Sequence, residues 1–458
     1  MNICVIGAGA YGCYTIDALL KKYPNSAITL IDVGNSKVKS ENEIGYFSKL
    51  KSRLYKGLSD GRFFGFGGTT EKWGGQLLSY TKNDFINPNS FMKDVIALNE
   101  KHKETMLNKF NISNNYQENF VTKTLFTKTG VWLSVFSRNF FNFFKIQRRK
   151  QVTIISNARV SKIEKDATNK VTKIYFIKEG KEQYLYFDFY FLTAGAFESA
   201  RILLSSGFIP ENKVYFSDHL SQKVFKINKS TLIGVEDFVF KMKGFSLITK
   251  RLIGEFDNCS FYVHPVFNMD FPFFQSLKTI LFKKQVTFEV IKNIILNIPQ
   301  ALGFVWAVLY HRRIYVYKNE WFLYIDIDNP TKDSFIELSK EKDKFGINGL
   351  EVNYSIASEA APVFNKAKEE VLAHLKKNKV DFELLSEEID VQNAEDIYHP
   401  HKMFTYENME AYFNDYDNML VINTGILPRS GGINPTAALL PVIDEFINEK
   451  LFKNYANS

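Results

Sequence analysis

Ile3-Cys4-Val5-Ile6, Gly7-Ala8-Gly9-Ala10-Tyr11-Gly12 and Ile28-Thr29-Leu30-Ile31-Asp32 decide the fold. The first run is uninterrupted by polar residues and reads as a strand buried on both faces. Tyr14 to Lys22 reads as a helix with Ile16, Leu19 and Leu20 facing inward. A second apolar run then ends on Asp32, twenty residues after Gly12. Strand, glycine turn, helix and terminal acid in this order form the βαβ dinucleotide fingerprint. Gly7 permits the tight turn, Gly9 lets the backbone approach a pyrophosphate, and Gly12 lets the helix pack closely on the strand. The helix N-terminus offers free N–H groups and positive dipole to phosphates. Asp32 would accept hydrogen bonds from ribose hydroxyls. The fingerprint leaves FAD and NAD both open.

The chain has 458 residues, enough for two domains with sizeable cores. A net charge of +8, with lysines and glutamates interspersed, argues against a nucleic-acid partner. Cys4, Cys13 and Cys259 make neither a metal-ligand spacing nor a disulfide framework. No metal is therefore expected, and a reducing, cytoplasmic compartment fits. The first strand begins at Ile3, so no signal peptide is expected before it. Two stretches are Phe-rich and basic, Gly130 to Lys150 and Phe271 to Arg313. Inside the second, Asn293 to Tyr310 runs eighteen residues without a charge, close to the length of a membrane span. Asn293, Asn297, Pro299 and Gln300 count against a true span, so a buried helix is expected. The alternative is a segment lying on a bilayer, which would make the protein peripheral to the inner membrane face.

Weak helical character covers Tyr46 to Tyr55, and Asn87 to Leu107 is helix-like. Val152 to Ile155 reads as a strand, followed by hairpin-like strands and a strand–helix unit over Thr193–Gly207. Alternating stretches between 224 and 356, including Phe261-Tyr262-Val263 and Trp321 to Ile327, predict a mostly antiparallel sheet. Glu359 to Lys379 is an amphipathic helix with Ala361, Phe364, Ala367, Val371 and Leu375 on its apolar face. Leu420-Val421-Ile422 is a short buried strand, and Gly425 to Gly432 turns the chain. Asn434-Pro435-Thr436 then opens the last helix, with Asn434 as N-cap and Pro435 first in the helix. Pro441 should kink that helix.

The chemistry is carried by two further stretches. Gly61 to Gln76 is dense in glycine, which places backbone against something flat, and Trp73 and the Phe pairs argue against a mobile loop. Tyr398-His399-Pro400-His401 supplies two of the chain's seven histidines. Imidazole is the natural general base near neutral pH.

The loop Gly61–Gln76 resembles the second signature segment of the glucose–methanol–choline (GMC) flavoprotein oxidoreductases, nearest the pyranose-oxidase-like, sugar-oxidising branch. Leu192 to Leu204, with Thr193-Ala194-Gly195-Ala196, resembles the family's strand–AGA–helix segment, and Asp218-His219-Leu220 its DHP element. Asp333 to Ile356, with Asp343-Lys344-Phe345-Gly346, resembles its returning strands. Asp417 to Ile422, through Ser430-Gly431-Gly432-Ile433-Asn434-Pro435-Thr436, resembles its C-terminal signature. The match is collinear except over about 90–150 and 230–320.

The resemblance implies an α/β protein, with a Rossmann-like FAD-binding domain (1–92, 150–222 and 396–458). A second, α+β substrate domain on a mostly antiparallel sheet would span 223–395, with 93–149 as a connecting or cap segment. It implies FAD contacts at Gly7, Gly9, Ala10, Gly12 and Asp32, and at Arg62, Gly67, Gly68, Thr69, Trp73, Gly74 and Gly75. It adds Val160, Ala194, Gly195, Gly425, Asn434, Pro435 and Thr436. His399 matches the family's catalytic histidine and Asn434 its partner on the last helix, while His219 would brace a domain junction. Lys72 stands where the pyranose-oxidase branch links histidine to flavin, so FAD should be non-covalent. His401-Lys402-Met403-Phe404 replaces the family's Gly-rich, Thr-containing run. The implied activity is oxidation of an alcohol, of a sugar or glycan precursor, with an unnamed electron acceptor. Two rivals remain: oxidation of a lipid or sterol-like alcohol at a membrane, and a flavin-binding scaffold that has lost catalysis.

Overall fold

A computed structural model describes residues 1–458 except 113–116, 135, 229–237, 239, 244–245, 257, 268–270, 284, 313–314, 318–320 and 452–458. Five strands form an all-parallel sheet in the order Met419–Val421, Phe189–Leu192, Asn2–Ile6, Ala27–Ile31, Val152–Ile155. The central strand divides its side chains between two cores. Ile3 and Val5 join the core that holds the Ala10–Lys22 helix, while Cys4 and Ile6 join the one beneath a three-stranded antiparallel sheet of 158–185. Such two-sided burial explains the unbroken apolar runs.

The turn between the first strand and its helix is held by main-chain geometry and by the side chains of Asp32 and Thr193, which bond Ala8 and Gly7. Gly7 has φ +103°, and its N–H donates to the Ile31 carbonyl at 2.8 Å. A Cβ on Gly12 would lie 1.9 Å from the Gly7 carbonyl oxygen. No side chain can be accommodated there.

The large sheet has ten strands, and its neighbouring pairs are antiparallel. Its spine runs through His219–Ile227, Trp321–Asp328, Cys259–Phe267, Ser246–Phe256 and Leu125–Trp132. Sheet pairing thus crosses the sequence boundaries drawn above, because Gln76–Leu77 and Leu125–Trp132 both contribute strands. One face carries Leu252, Phe261, Val263, Leu323, Ile325 and Ile327, packed with the Ala360–Lys377 helix. The opposite face is polar and looks toward the C-terminal segment.

Three local expectations are corrected. Tyr46 to Tyr55 holds a strand, not a helix: Ser48–Leu50 pairs in parallel with Leu350–Val352. Its Tyr46, Phe47, Leu50 and Leu54 mimic helical spacing, but tertiary pairing overrides it, and Gly349 allows the Phe47 carbonyl to come close. The last helix does not open at Asn434. A 3₁₀ turn spans Ala437–Leu439 and the α-helix starts at Leu440. Pro441 therefore sits in a first turn, where its missing N–H costs nothing, and produces no kink. Third, Asn293 to Tyr310 is not buried. Phe288–Leu296 and Ile298–Tyr310 meet at 71°, and in this stretch only Ala307 is buried. Among the described residues no single helix is long and apolar enough to cross a membrane. Arg313, at the end of this basic stretch, lies outside the described residues.

Gly12→Val tests the backbone constraint. Its methyl groups meet a fixed carbonyl, so destabilisation beyond the ~1–3 kcal/mol of ordinary overpacking is expected. Thermal melting and soluble yield measure it, and a wild-type melt would contradict the packing described.

Candidate active site

A groove runs along the C-terminal edge of the parallel sheet, where ligands of open α/β sheets bind. Gly7, Gly9, Ala10 and Asp32 line its floor. Arg62, Gly68, Thr69 and Trp73 come from the glycine-dense loop, Val160 from the small sheet, and Ala194 and Gly195 from the strand–helix unit. Thr436 closes one end. A Cβ on Gly9 would meet nothing within 4 Å, so it would project into the groove beside the helix N-terminus. Gly68 approaches from the other side, 3.2 Å from the Gly9 Cα by the same construction. An empty cradle of backbone beside a helix N-terminus suits a pyrophosphate. The residues present therefore fit a dinucleotide.

Asp32 ties this floor together. Its Oδ2 accepts from the Ala8 N–H at 2.8 Å and its Oδ1 from the Gly34 N–H at 2.7 Å. Burial raises its pKa, and these backbone donors oppose the rise. Arg62 donates to Glu41 Oε2 at 3.1 Å and lies 5.3 Å from the Phe64 ring centroid. Trp73 is fixed by its Nε1–H, which donates to the Arg138 carbonyl at 2.9 Å.

Other glycines pack the loops and do not line the groove. Gly12 backs the fingerprint turn, Gly67 abuts Asn139, Gly74 abuts the Trp132 ring, and Gly75 abuts Arg138 and Leu133. Gly425 abuts Met403 and Asn423. Pro435 and Asn434 precede the 3₁₀ turn, outside the groove lining.

His399 lies between the groove residues Tyr398 and Pro400, facing the polar side of the large sheet. Tyr398 and Lys402 both hold positive φ, +70° and +63°, so the backbone around the histidines is strained into place. Asp218 supports that path: its Oδ1 accepts from the main-chain N–H of His219 at 2.7 Å and of His399 at 2.9 Å, and its Oδ2 from the Tyr55 hydroxyl at 2.6 Å. Burial, then Asp396, raises the Asp218 carboxyl to about 7. His399 Nδ1 is buried without a partner among the described residues. Burial, then the charges of His219 and Arg251, pushes the imidazole well below its ordinary pKa, so it is neutral.

The other histidines play different parts. His401 is fully framed: Nδ1 lies 3.0 Å from Ser430 Oγ and 3.2 Å from the His399 carbonyl, and its main chain pairs with Ser217. Burial pulls its pKa down to about 4. His219 is buried, with Nε2 at 2.7 Å from the Gly431 carbonyl and 3.1 Å from Asp328 Oδ1. Burial opposes a charge there, but Asp328, Asp218 and the carbonyl outweigh it and raise the pKa.

Asn434 is held by a chain of side chains that the sequence reading did not find. Arg251 Nη1 donates to Asn434 Oδ1 at 3.2 Å, and Asn434 Nδ2 donates to Gln76 Oε1 at 3.3 Å. Gln76 Nε2 in turn donates to Thr249 Oγ1 at 3.0 Å. Arg251 is buried, lies 4.5 Å from the Tyr262 ring centroid, and has no carboxylate partner among the described residues. Nearby, His264 Nδ1 sits 3.2 Å from Asp326 Oδ2. Apart from Asn434, these side chains project from one face of the large sheet. Their signal was present as polar residues alternating with core residues in Ser260-Phe261-Tyr262-Val263-His264 and Tyr324-Ile325-Asp326-Ile327-Asp328.

Neither a family model nor a curated protein matches the chain. Solved structures match it from end to end, among them two oxidases. Pyridoxine 4-oxidase from Mesorbium loti gives a TM-score of 0.54 at 12% identity, covering 98% of this chain and 99% of that one. A mutant formate oxidase from Aspergillus oryzae RIB40, studied for FAD modification, gives 0.55 at 10% identity, covering 99% of each. The chain shares the fold of these oxidases. Identities this low speak to fold alone.

Two expectations follow. Gly9→Val should melt close to wild type, since the space beside Gly9 is open, yet lose most bound nucleotide; full retention of bound nucleotide would refute the cradle. On acidification, neutral His401 must take up protons on unfolding, so ν_U exceeds ν_N between about pH 4 and 6.5 and stability falls as pH drops through that window. Denaturant titrations at pH 7.5 and 5 should show the loss, and His401→Gln should reduce it; a wild-type acid limb in that variant would contradict it.

Proposed function

We propose that the chain is an FAD-dependent oxidoreductase of the GMC type that oxidises a CH–OH group. The observation that carries the reading is the neutral His399 imidazole, its Nδ1 without a hydrogen-bond partner among the described residues and its neighbours Tyr398 and Pro400 lining the groove. The shared fold of two oxidases supports it. Bound FAD would supply the hydride acceptor. Gly9 and the N-terminus of the Ala10–Lys22 helix would receive its pyrophosphate, and Asp32 its ribose. Gly68, Thr69 and Trp73 would enclose it.

The protein's own task is proton management and orientation. His399 Nδ1 is sealed from solvent, which leaves Nε2 to accept the alcohol's O–H proton. A neutral imidazole can take that proton without first losing one. Asn434, with its Oδ1 fixed by Arg251, keeps an amide N–H for the alcohol oxygen. His401 holds the turn and stays out of the reaction. Lys72 is exposed and cannot form the histidyl link of the pyranose-oxidase branch, so FAD is held without a covalent bond. The three cysteines, all buried and in no disulfide among the described residues, suit a reducing cytoplasmic setting.

The substrate class is a sugar or glycan precursor. A membrane-resident lipid alcohol is the second reading, favoured by the exposure of Phe288–Tyr310 on the two strands that carry Tyr262 and Asp326.

Anaerobic flavin reduction across sugars, nucleotide sugars and lipid alcohols tests the proposal. His399→Ala should keep the flavin spectrum and slow reduction ~10²–10⁴-fold. If His401→Gln abolishes reduction while His399→Ala does not, the base is misassigned. Acid precipitation should leave intact FAD in the supernatant, and flavin retained on the polypeptide would refute the non-covalent assignment.

A further inference from the structure

The segment Phe271–Tyr310 forms a two-faced hairpin inserted between the strands Cys259–Phe267 and Trp321–Asp328. Its inner face is anchored to the protein. Phe271 is fully buried and stacks on Tyr317 at 5.1 Å, Phe304 packs 6.4 Å from Tyr315, and the Phe273 N–H donates to Gln300 Oε1 at 3.3 Å. Its outer face is apolar and bare. Phe288, Ile295, Leu296, Leu302, Trp306 and Leu309 are each 58–78% exposed. Thr287 caps the first of these helices, accepting from the Val290 N–H, so the exposed face is presented by formed secondary structure. Scattered exposed apolar residues are normal, but a contiguous patch of this kind marks a binding surface.

Charge decides what covers it. Between Phe271 and Arg313 the sequence carries Lys278, Lys283, Lys284, Lys292, Arg312 and Arg313 against a single acid, Glu289. A second copy of the chain laid face to face would bring these cations together. An anionic lipid surface would instead neutralise them while accepting the apolar face. The 71° bend between the two helices gives a shallow wedge, too short on either arm to cross a bilayer.

We infer that Phe288–Tyr310 is a monotopic membrane anchor that seats in one leaflet of an anionic bilayer, with its cationic flanks at the headgroups. The anchor grows from the Phe267/Trp321 end of two paired strands. Tyr262 lies five residues from Phe267, roughly 16 Å along the strand. The docked leaflet therefore lies beside the polar sheet face. Docking is a property of this surface and does not depend on the redox reading.

Flotation of the flavin-loaded full chain with phosphatidylcholine vesicles, with and without phosphatidylglycerol, tests the inference. The protein should float with the anionic vesicles at low salt and at least severalfold less at high salt, as the cations are screened. The double variant Leu302→Glu, Trp306→Glu alters exposed positions only, so its bound flavin absorbance and melt should match wild type while flotation is lost. Lipids brominated near the upper acyl chain should quench wild-type fluorescence, and Trp306→Phe should remove that quenching without removing flotation. Failure to float with either vesicle overturns the inference, as does flotation of the double variant at the wild-type level. A salt-stable dimer abolished by the double variant, with no vesicle binding, would assign the face to a second copy of the chain and also overturn it. Normal flavin content alongside any of these failures would leave the proposed oxidation standing.

Discussion

Among the described glycines, Gly12 leaves the least room for a side chain, because a Cβ there would run into the carbonyl oxygen of Gly7, and the rest of the fold is arranged around this contact. Because no side chain separates the first strand from its helix, the helix axis is brought down onto the sheet and its N-terminus is aimed at the strand edge. Asp32 then crosses beneath the turn, bonding Ala8 on one side and Gly34 on the other. The glycine-dense loop completes the enclosure, since the Gly67 N–H donates to the Ala8 carbonyl at 2.9 Å. Beside the Asp32 carboxylate, two main-chain bonds, from Gly7 N–H to the Ile31 carbonyl and from Gly67 N–H to the Ala8 carbonyl, tie distant segments to one strand end. Such bonds depend little on side-chain identity, which suits a fold that recurs at 10–12% identity.

The large sheet applies a second constraint. Its strands send alternate residues to opposite faces. Leucine, isoleucine and valine on one face build the core with the Ala360–Lys377 helix. That burial fixes the register, and the register then sets Arg251, Tyr262, His264 and Asp326 on the other face. A one-residue slip would put charge in the core and strip the site, so fold and candidate chemistry stand or fall together. Burying Arg251 without a carboxylate is costly unless something meets it. Asn434 and the Tyr262 ring meet part of that cost.

Local pattern made the parallel sheet legible. The fingerprint, the Asp32 terminus, the Thr193–Gly207 unit and the amphipathic Glu359–Lys379 stretch all follow from spacing that the structure keeps. Where sequence reasoning failed, a tertiary partner decided the outcome. Ser48–Leu50 becomes a strand because the edge of Asn348–Asn353 offers it hydrogen bonds that no helical reading of the stretch could foresee. The last helix starts late because Pro441 cannot donate to Ala437, leaving Asn434 free to bond Arg251 in place of capping. The Phe288–Tyr310 stretch has the composition of a core helix, and only the folded surroundings show that it lies exposed among the described residues. Arg251 and Gln76 escaped notice because each is an isolated polar residue whose meaning lies in a partner far along the chain.

The proposed function places FAD in the groove beside Gly9, against a neutral His399. Visible absorbance of the purified protein, with chromatographic identification and quantitation of the released cofactor, is the decisive measurement. The expected result is a yellow protein carrying one FAD per chain, with apoprotein regaining that spectrum on titration with FAD and not with NAD. A colourless protein that binds NAD in preference to FAD would contradict it.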